Sequence, residues 1–269
     1  MERGKEKMKF RPCIDIHNGK VKQIVGGSLR DEGDFANDNF VSEKNGDYYA
    51  RLYENAGLSG GHIILLNPVS SPYYKEDVRQ ACLALSETRG KLQIGGGITD
   101  ENAAFFLEQG ASHVIVTSFV FKDGQINKEN LQKIFQITGK ERLVLDLSCR
   151  KKDGAYYIVT DRWQKFTDVV LSHAVLEELS AYCDEFLIHA VDVEGKASGI
   201  EKDLVQMLGE WEGIPVTYAG GVGSFEDLTV LKELGKNKID VTIGSALDLF
   251  GGPMEFEKVL DVMKYDPKR

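Results

Sequence analysis

The sequence predicts an α/β fold closed into a single (β/α)8 barrel, and three observations predict it. The chain has 269 residues, close to the roughly 250 of a one-domain α/β barrel. Short apolar runs rich in β-branched residues alternate with longer amphipathic stretches along its length. The second half then repeats the first in outline, as a barrel built from two half-barrels would.

The strand candidates are Phe10–Ile16, His62–Leu66, Leu92–Ile94, His113–Val116, Leu143–Leu147, Phe186–Ala190, Val216–Ala219 and Val241–Ile243. Most are apolar at successive positions, as strands covered on both faces must be. The helix candidates are Gly46–Gly57, Lys75–Glu87, Asp100–Gln109, Lys128–Thr138, Val169–Tyr182, Lys202–Glu210, Ser224–Leu234 and Met254–Lys264, where apolar residues recur at helical spacing. Asp100 and Ser224 can cap helix starts, and Gly57, Gly110, Gly139 and Gly235 can end helices. Strand–helix units in series, with no linker rich in Pro, Gly or Ser between them, read as one closed domain over residues 1–269. A doubly wound open sheet is the alternative arrangement.

The repeat is legible in three places. Cys13-Ile14-Asp15-Ile16 is echoed by Val144-Leu145-Asp146-Leu147. Gly96-Gly97-Ile98 is echoed by Gly220-Gly221-Val222, and Val116-Thr117-Ser118 by Ile243-Gly244-Ser245. The echoes lie between 124 and 131 residues apart. Two halves, at about 10–125 and 141–250, would each supply half of the barrel's strands.

Composition narrows the partners. Hydrophobic residues make up 42% of the chain and charged residues 28%, enough for an ordinary buried core. A net charge of -9 argues against nucleic acid or an anionic membrane as the main partner. It leaves an anionic small molecule open, because backbone dipoles bind phosphate even in an acidic protein. The opening segment Met1–Lys9 is charged and lacks the apolar stretch of a signal peptide. No apolar run approaches the roughly 18 residues of a membrane span. Cys13, Cys82, Cys149 and Cys183 show neither a C-x-x-C pair nor metal-ligand spacing. A cytosolic monomer with free thiols is expected.

In a barrel of this kind chemistry sits where the strands end. Strand one delivers Asp15 there and strand five delivers Asp146, on opposite sides of the mouth. Each alone could be a helix cap or half of an ion pair. At matched positions of a repeat they suit an acid and a base, one with a raised pKa and the other near normal. Glycines Gly96 and Gly97 follow strand three, and Gly220 and Gly221 follow strand seven. Such turns let the backbone approach an anion, although glycines can also serve tight turns alone. Thr117 and Ser118 after strand four, and Gly244 and Ser245 after strand eight, complete two matching candidate phosphate sites. The stretch after strand six carries Asp192 and Gly195 and can fix the substrate or remain a solvated turn. A long loop, Ser148 to Asp168, carries Arg150 and Trp163; the indole can stack on a flat ring or staple the loop. Lys20 and Lys22 fit surface charges better than phosphate ligands, and His189 fits a structural role. Neither a metal site nor a redox-cofactor site is expected.

The segments Pro12-Cys13-Ile14-Asp15-Ile16-His17-Asn18-Gly19-Lys20-Val21, Ile94-Gly95-Gly96-Gly97-Ile98, Leu145-Asp146-Leu147-Ser148-Cys149-Arg150, His189-Ala190-Val191-Asp192-Val193-Glu194-Gly195 and Ala219-Gly220-Gly221-Val222 resemble the histidine-pathway isomerases of the HisA type. The resemblance runs from about Phe10 to Phe250. Its strand-six segment and the run Gly244-Ser245-Ala246-Leu247-Asp248-Leu249-Phe250-Gly251-Gly252 look like the version found in fungi and plants. It implies a TIM barrel that converts the aminoaldose ProFAR to the aminoketose PRFAR by an Amadori rearrangement, without metal or cofactor. It further implies Asp15 as the base and Asp146 as the acid. One substrate phosphate would then lie at Gly96, Gly97, Thr117 and Ser118, and the other at Gly220, Gly221, Gly244 and Ser245.

The chain departs from the common bacterial pattern in two places. After strand six a D-I-x-x-D-G-T run preceded by Thr gives way to a shorter segment with Ala190, Asp192, Glu194 and Gly195, which leaves the role of Asp192 loosely placed. After strand two Leu65-Leu66-Asn67-Pro68 stands in place of V-D-L. The rival readings are the cyclase subunit of imidazole glycerol phosphate synthase, an isomerase that also accepts phosphoribosylanthranilate, and a non-catalytic phosphosugar-binding barrel. The His17-Asn18-Gly19 stretch and the strand-six segment favour the isomerase over the cyclase, and the presence of both aspartates speaks against the binding protein.

Overall fold

The apolar runs of the sequence form one curled sheet. The structure is a computed structural model and describes residues 7–25, 28–30, 32–196 and 198–264. The charged opening segment up to residue 6, and Ala197 of the strand-six stretch, lie outside the described residues. The barrel strands are β1 (Cys13–His17), β2 (Gly61–Leu65), β3 (Leu92–Gly95), β4 (Val114–Val116), β5 (Leu143–Asp146), β6 (Glu185–His189), β7 (Val216–Ala219) and β8 (Asp240–Thr242). Each pairs in parallel with the next. The ring closes just before β1, where Phe10 bridges Val241 and the Arg11 N–H donates to the Val241 carbonyl at 2.8 Å.

A helix follows each strand: α1 (Gly46–Asn55), α2 (Tyr74–Glu87), α3 (Ala103–Glu108), α4 (Lys128–Thr138), α5 (His173–Ser180), α6 (Lys202–Gly209), α7 (Phe225–Leu234) and α8 (Phe256–Lys264). Three starts are fixed by side chains that accept orphan backbone N–H groups: Asn127 for α4, Ser172 for α5 and Ser224 for α7. Asp100 is not a cap. Helix α3 begins later, at Ala103, after a turn in which Asn102 accepts from the Thr99 N–H.

Alternation along the strands separates two cores. Ile14 and Ile16 of β1 face the helices and belong to the large outer cluster with Tyr49, Ala50 and Tyr53 of α1. The Tyr53 hydroxyl also donates to the Cys13 carbonyl at 2.9 Å, which ties α1 to β1. Inside the ring Ile115, Val144, Leu187 and Ala219 form a separate small cluster with Ile64 packed on it. By the same alternation Asp15, Asp146 and His189 point inward, one layer above that plug.

At the N-terminal end the interior is charged and paired. Arg11 donates to Asp240 at 2.7 Å and lies 3.9 Å from Glu185. Gln93 and Thr217 donate to the two oxygens of Glu185 at 2.9 and 2.5 Å.

Among the described residues three excursions leave the ring, the shortest of them the hairpin of Phe121–Lys122 with Gln125–Ile126 after β4. After β1 the chain turns through Asn18 and Gly19, both with positive φ, into antiparallel strands Lys20–Ile24 and Asp38–Val41. Lys22 lies there, buried, and pairs with Asp38 at 2.9 Å rather than facing solvent. The long loop after β5 is in fact a three-stranded antiparallel sheet, Cys149–Lys152, Ala155–Thr160 and Lys165–Val170. That corrects the helix expected over Val169–Tyr182. The Lys165–Val170 run pairs as a strand, and the helix starts only behind its cap, Ser172.

Candidate active site

A cavity of about 370 Å³ opens over the C-terminal ends of the strands. Asp15 and Asp146 line it, with Gly96 and Gly97 after β3 and Thr117 and Ser118 after β4. A smaller recess of about 30 Å³ adjoins it on the β7 and β8 side, lined by Gly220, Gly221, Gly244, Ser245 and Gly195. Asp15, His189 and Glu194 line both spaces. One elongated molecule could therefore reach from one glycine-rich turn to the other across the two carboxylates.

The glycines are required by the close approach of neighbouring backbone. A Cβ on Gly96, whose φ is +97°, would collide with the Leu65 carbonyl. One on Gly221, at φ +76°, would collide with the Gly199 carbonyl. The two halves match further on. A short 3-10 turn follows β4 at Ser118–Val120, and another follows β8 at Asp248–Phe250.

The two carboxylates sit in opposite environments. Burial pushes Asp15 up to about 7, the neighbouring Glu194 adds to this, and His189 and the Gln23 amide, at 3.1 Å, only partly offset it. Cys13 and His62 lie beside Asp15 but bring no charge. Burial holds the thiol well above its ordinary value and drops His62 to about 3. Burial also pushes Asp146 up, but His189 and two donors from Ser148 outweigh it and hold the carboxyl below its ordinary value. The Ser148 hydroxyl and N–H donate to Asp146 Oδ1 at 2.6 and 2.8 Å. The raised pKa therefore belongs to Asp15, whereas acid–base reasoning from the sequence requires it on Asp146.

His189 and Glu194 are the residues that sequence reasoning missed. His189 Nδ1 lies 3.7 Å from Asp146 Oδ1. Burial lowers its pKa, but Asp146, Glu194 and Asp15 outweigh this and leave it above 6.5. Glu194 is itself pushed up by burial. The signal for His189 was available: it ends an inward-pointing strand, two positions beyond Leu187 on the same face.

The remaining sequence candidates divide. Trp163 lines the cavity, with its ring 5.6 Å from His189 and its indole N–H donating to Ser148 at 3.1 Å. It staples the excursion to the site and offers a flat face there. Asp161, Arg162 and Trp163 all have positive φ, and Asp161 is held by its N–H donating to Ser118 at 2.9 Å. Arg150 and Asp192 line neither space. They pair with each other at 2.8 Å, Asp192 also accepts from the Lys151 N–H, and the Arg150 guanidinium lies over Phe166. These contacts join the excursion to the strand-six stretch.

Comparison with known proteins adds a family. A profile described as "Histidine biosynthesis protein" matches residues 9–252. A Medicago truncatula protein named 1-(5-phosphoribosyl)-5-((5-phosphoribosylamino)methylideneamino)imidazole-4-carboxamide isomerase, chloroplastic, is 52% identical over 94% of this chain and 81% of its own. Proteins of the same enzyme name from Yarrowia lipolytica and Saccharomyces cerevisiae are 47% and 44% identical, each over 91% of this chain and 93% of its own.

Proposed function

This chain belongs to the histidine-biosynthesis protein family, and on that premise we propose that it is the isomerase that converts ProFAR to PRFAR. The observation that carries the reading is the pair of inward-pointing carboxylates, Asp15 and Asp146, in one cavity between two matched glycine-rich turns. A substrate with a phosphate at each end fits that arrangement, one end at Gly96, Gly97, Thr117 and Ser118, the other at Gly220, Gly221, Gly244 and Ser245. The relatives' shared name supports the same substrate.

Asp15 is the base. A carboxyl held near 7 exchanges protons readily at neutral pH, and such matching suits general base catalysis. It removes the proton from the sugar carbon next to the imine. Asp146 serves the other end of the reaction, giving a proton to the furanose ring oxygen as the ring opens. Trp163 offers its face to the flat imidazole carboxamide. The chemistry so derived uses only protein side chains.

No helix among the described residues is long and apolar enough to cross a membrane. We propose that the protein works as a cytosolic monomer of one domain with no nucleic-acid partner, a setting in which its free cysteines stay reduced. The test of the function is the absorbance change when the purified chain alone meets ProFAR. Turnover without ammonia is expected. Consumption of PRFAR with ammonia to form imidazole glycerol phosphate would replace this reading with the cyclase.

A further inference from the structure

The two carboxylates leave one question of proton supply. Asp146 is the proton donor by position, yet its surroundings favour the ionised form. Beside it lies a buried imidazole that the mechanism above does not use. His189 projects from β6 into the same cavity, and its Nδ1 has no hydrogen-bond partner among the described residues. That atom is 3.7 Å from Asp146 Oδ1. A closure of under an ångström would make a charge-assisted hydrogen bond. The ring is held from the other sides by Trp163 at 5.6 Å and by His62 at 6.0 Å, centroid to centroid.

We propose that His189 is the proton reservoir of Asp146, a positioning residue that pairs with the carboxylate in the free enzyme and hands it the proton used to open the sugar ring. The proposal rests on the isomerase reading above. The groups facing His189 are consistent with an imidazolium. They are Asp146 from β5, Glu194 from the stretch after β6, Asp15 from β1 and, as an uncharged ring, His62 from β2.

The protons balance over the cycle. The Nδ1–H bond of His189 breaks as an O–H bond forms on Asp146. That proton passes to the ring oxygen while the bond from this oxygen to the anomeric carbon breaks, leaving an iminium. Asp15 takes the proton from the adjacent carbon, giving a neutral enolamine, and returns it to the former anomeric carbon. The enol hydroxyl becomes the ketone, and its proton restores the Asp146–His189 pair. No oxidant, reductant or second substrate is needed.

The experiment has two arms. In the first, the imidazole of His189 is titrated by NMR in the free protein, with its signal assigned by loss in His189→Asn. A pKa above 6.5 in the wild type, falling in Asp146→Asn, is expected. Titration at or below 6.5 in the wild type would overturn the proposal; this arm needs no activity, and if His189→Asn does not fold, His189→Gln supplies the assignment. In the second, His189→Asn should lower kcat at least about tenfold, within the range of proton-transfer effects, while KM stays within about threefold. The alkaline limb of the pH profile, where the pair loses its proton, should disappear. A variant that keeps kcat and an unchanged alkaline limb reduces His189 to packing and sinks the proposal. Failure of the wild type to turn over ProFAR would instead sink the isomerase reading, and leave the NMR result standing.

Discussion

At the N-terminal end of the barrel Glu185 and Asp240 are met by Arg11, Gln93 and Thr217. At the C-terminal end, among the described residues, Asp15 accepts one side-chain hydrogen bond, from the neutral Gln23 amide, and shares its space with a second acid, Glu194. Both ends are buried in the same ring of strands. The first satisfies its charges and holds the strands in register. The second leaves an acid short of partners, so its proton becomes mobile near neutral pH. The fold thus concentrates an electrostatic cost where the reaction needs it, a cost that can be measured as stability.

The largest effect should follow from removing that acid. Asp15→Asn is expected to lower kcat by roughly 10² to 10⁴, as is Asp146→Asn. For Asp15→Asn the comparison also predicts a gain in stability. Folded Asp15 keeps its proton up to about pH 7, whereas its ordinary value is 3.8. Between those pH values the folded state binds more protons than the unfolded one, so stability falls as pH rises through the window. Above it the cost is on the order of 4 kcal/mol. Asp15→Asn should therefore melt above the wild type at pH 8 and close to it below pH 4. Equal melting at pH 8, or a kcat within about threefold of wild type, would break the contrast between the ends.

The opposite end should behave in the opposite way. Arg11→Met takes the guanidinium from between Glu185 and Asp240. Breaking a buried pair in this way costs about 3–5 kcal/mol. Denaturant unfolding should report that loss, while kcat per folded molecule stays near wild type. A fall in kcat with unchanged stability would mean that the two ends are not separable.

Much of this division was legible in the sequence, because inward and outward positions alternate along each strand. The positions of Asp15 and Asp146, both glycine-rich turns and the helix cap at Ser224 followed from period and spacing. What escaped depended on contacts between distant segments. The pairing of Arg150 with Asp192 joins a strand of the excursion to the turn after β6, 42 residues away, and nothing local distinguishes it from two solvated charges. Which aspartate carries the raised pKa is set, beyond burial and the local Ser148 bonds, by Glu194 and His189, neither of which is near either aspartate in sequence. The excursions are a different matter. Asn18-Gly19, Asp123-Gly124 and Asp153-Gly154 each close a two-residue hairpin with both φ angles positive. These dipeptides are the strongest short-range signal for such turns, and they lay in plain view beneath the stronger alternation of the barrel.

A smaller effect concerns the mouth of the cavity. Ser245 lines the recess between β7 and β8, and Ser118 lines the cavity beside β4. A carboxylate at either place would face a phosphate, and like charges brought together at a binding surface cost several kcal/mol. Ser245→Asp and Ser118→Asp are each expected to raise KM about tenfold or more without loss of fold. These serines test the two sites more cleanly than Gly221→Asp, whose Cβ would strike the Gly199 carbonyl. An unchanged KM in both variants would remove the two-phosphate arrangement.

The smallest effect compares one hydroxyl at each end. Thr217 donates to Glu185 at 2.5 Å, and Ser148 donates to Asp146 at 2.6 Å. Each is a hydrogen bond to a buried acid, so Thr217→Val and Ser148→Ala should each cost about 1–3 kcal/mol by denaturant unfolding. In stability the two variants should be of the same order, with Ser148→Ala the costlier because the Trp163 indole N–H also loses its acceptor. They should differ in the pH profile of kcat. Ser148 stabilises the ionised form of Asp146, which lies against His189. Without that hydroxyl Asp146 binds a proton more tightly, and the pair keeps its proton to higher pH. The alkaline limb should then move up by about one pH unit, since one unit corresponds to about 1.4 kcal/mol. Thr217 bonds Glu185 in the paired layer beneath, so Thr217→Val should leave the limb where it is. If both variants shift the limb, or neither does, the acids at the two ends are electrostatically one system, and the separation of a structural end from a reactive end fails.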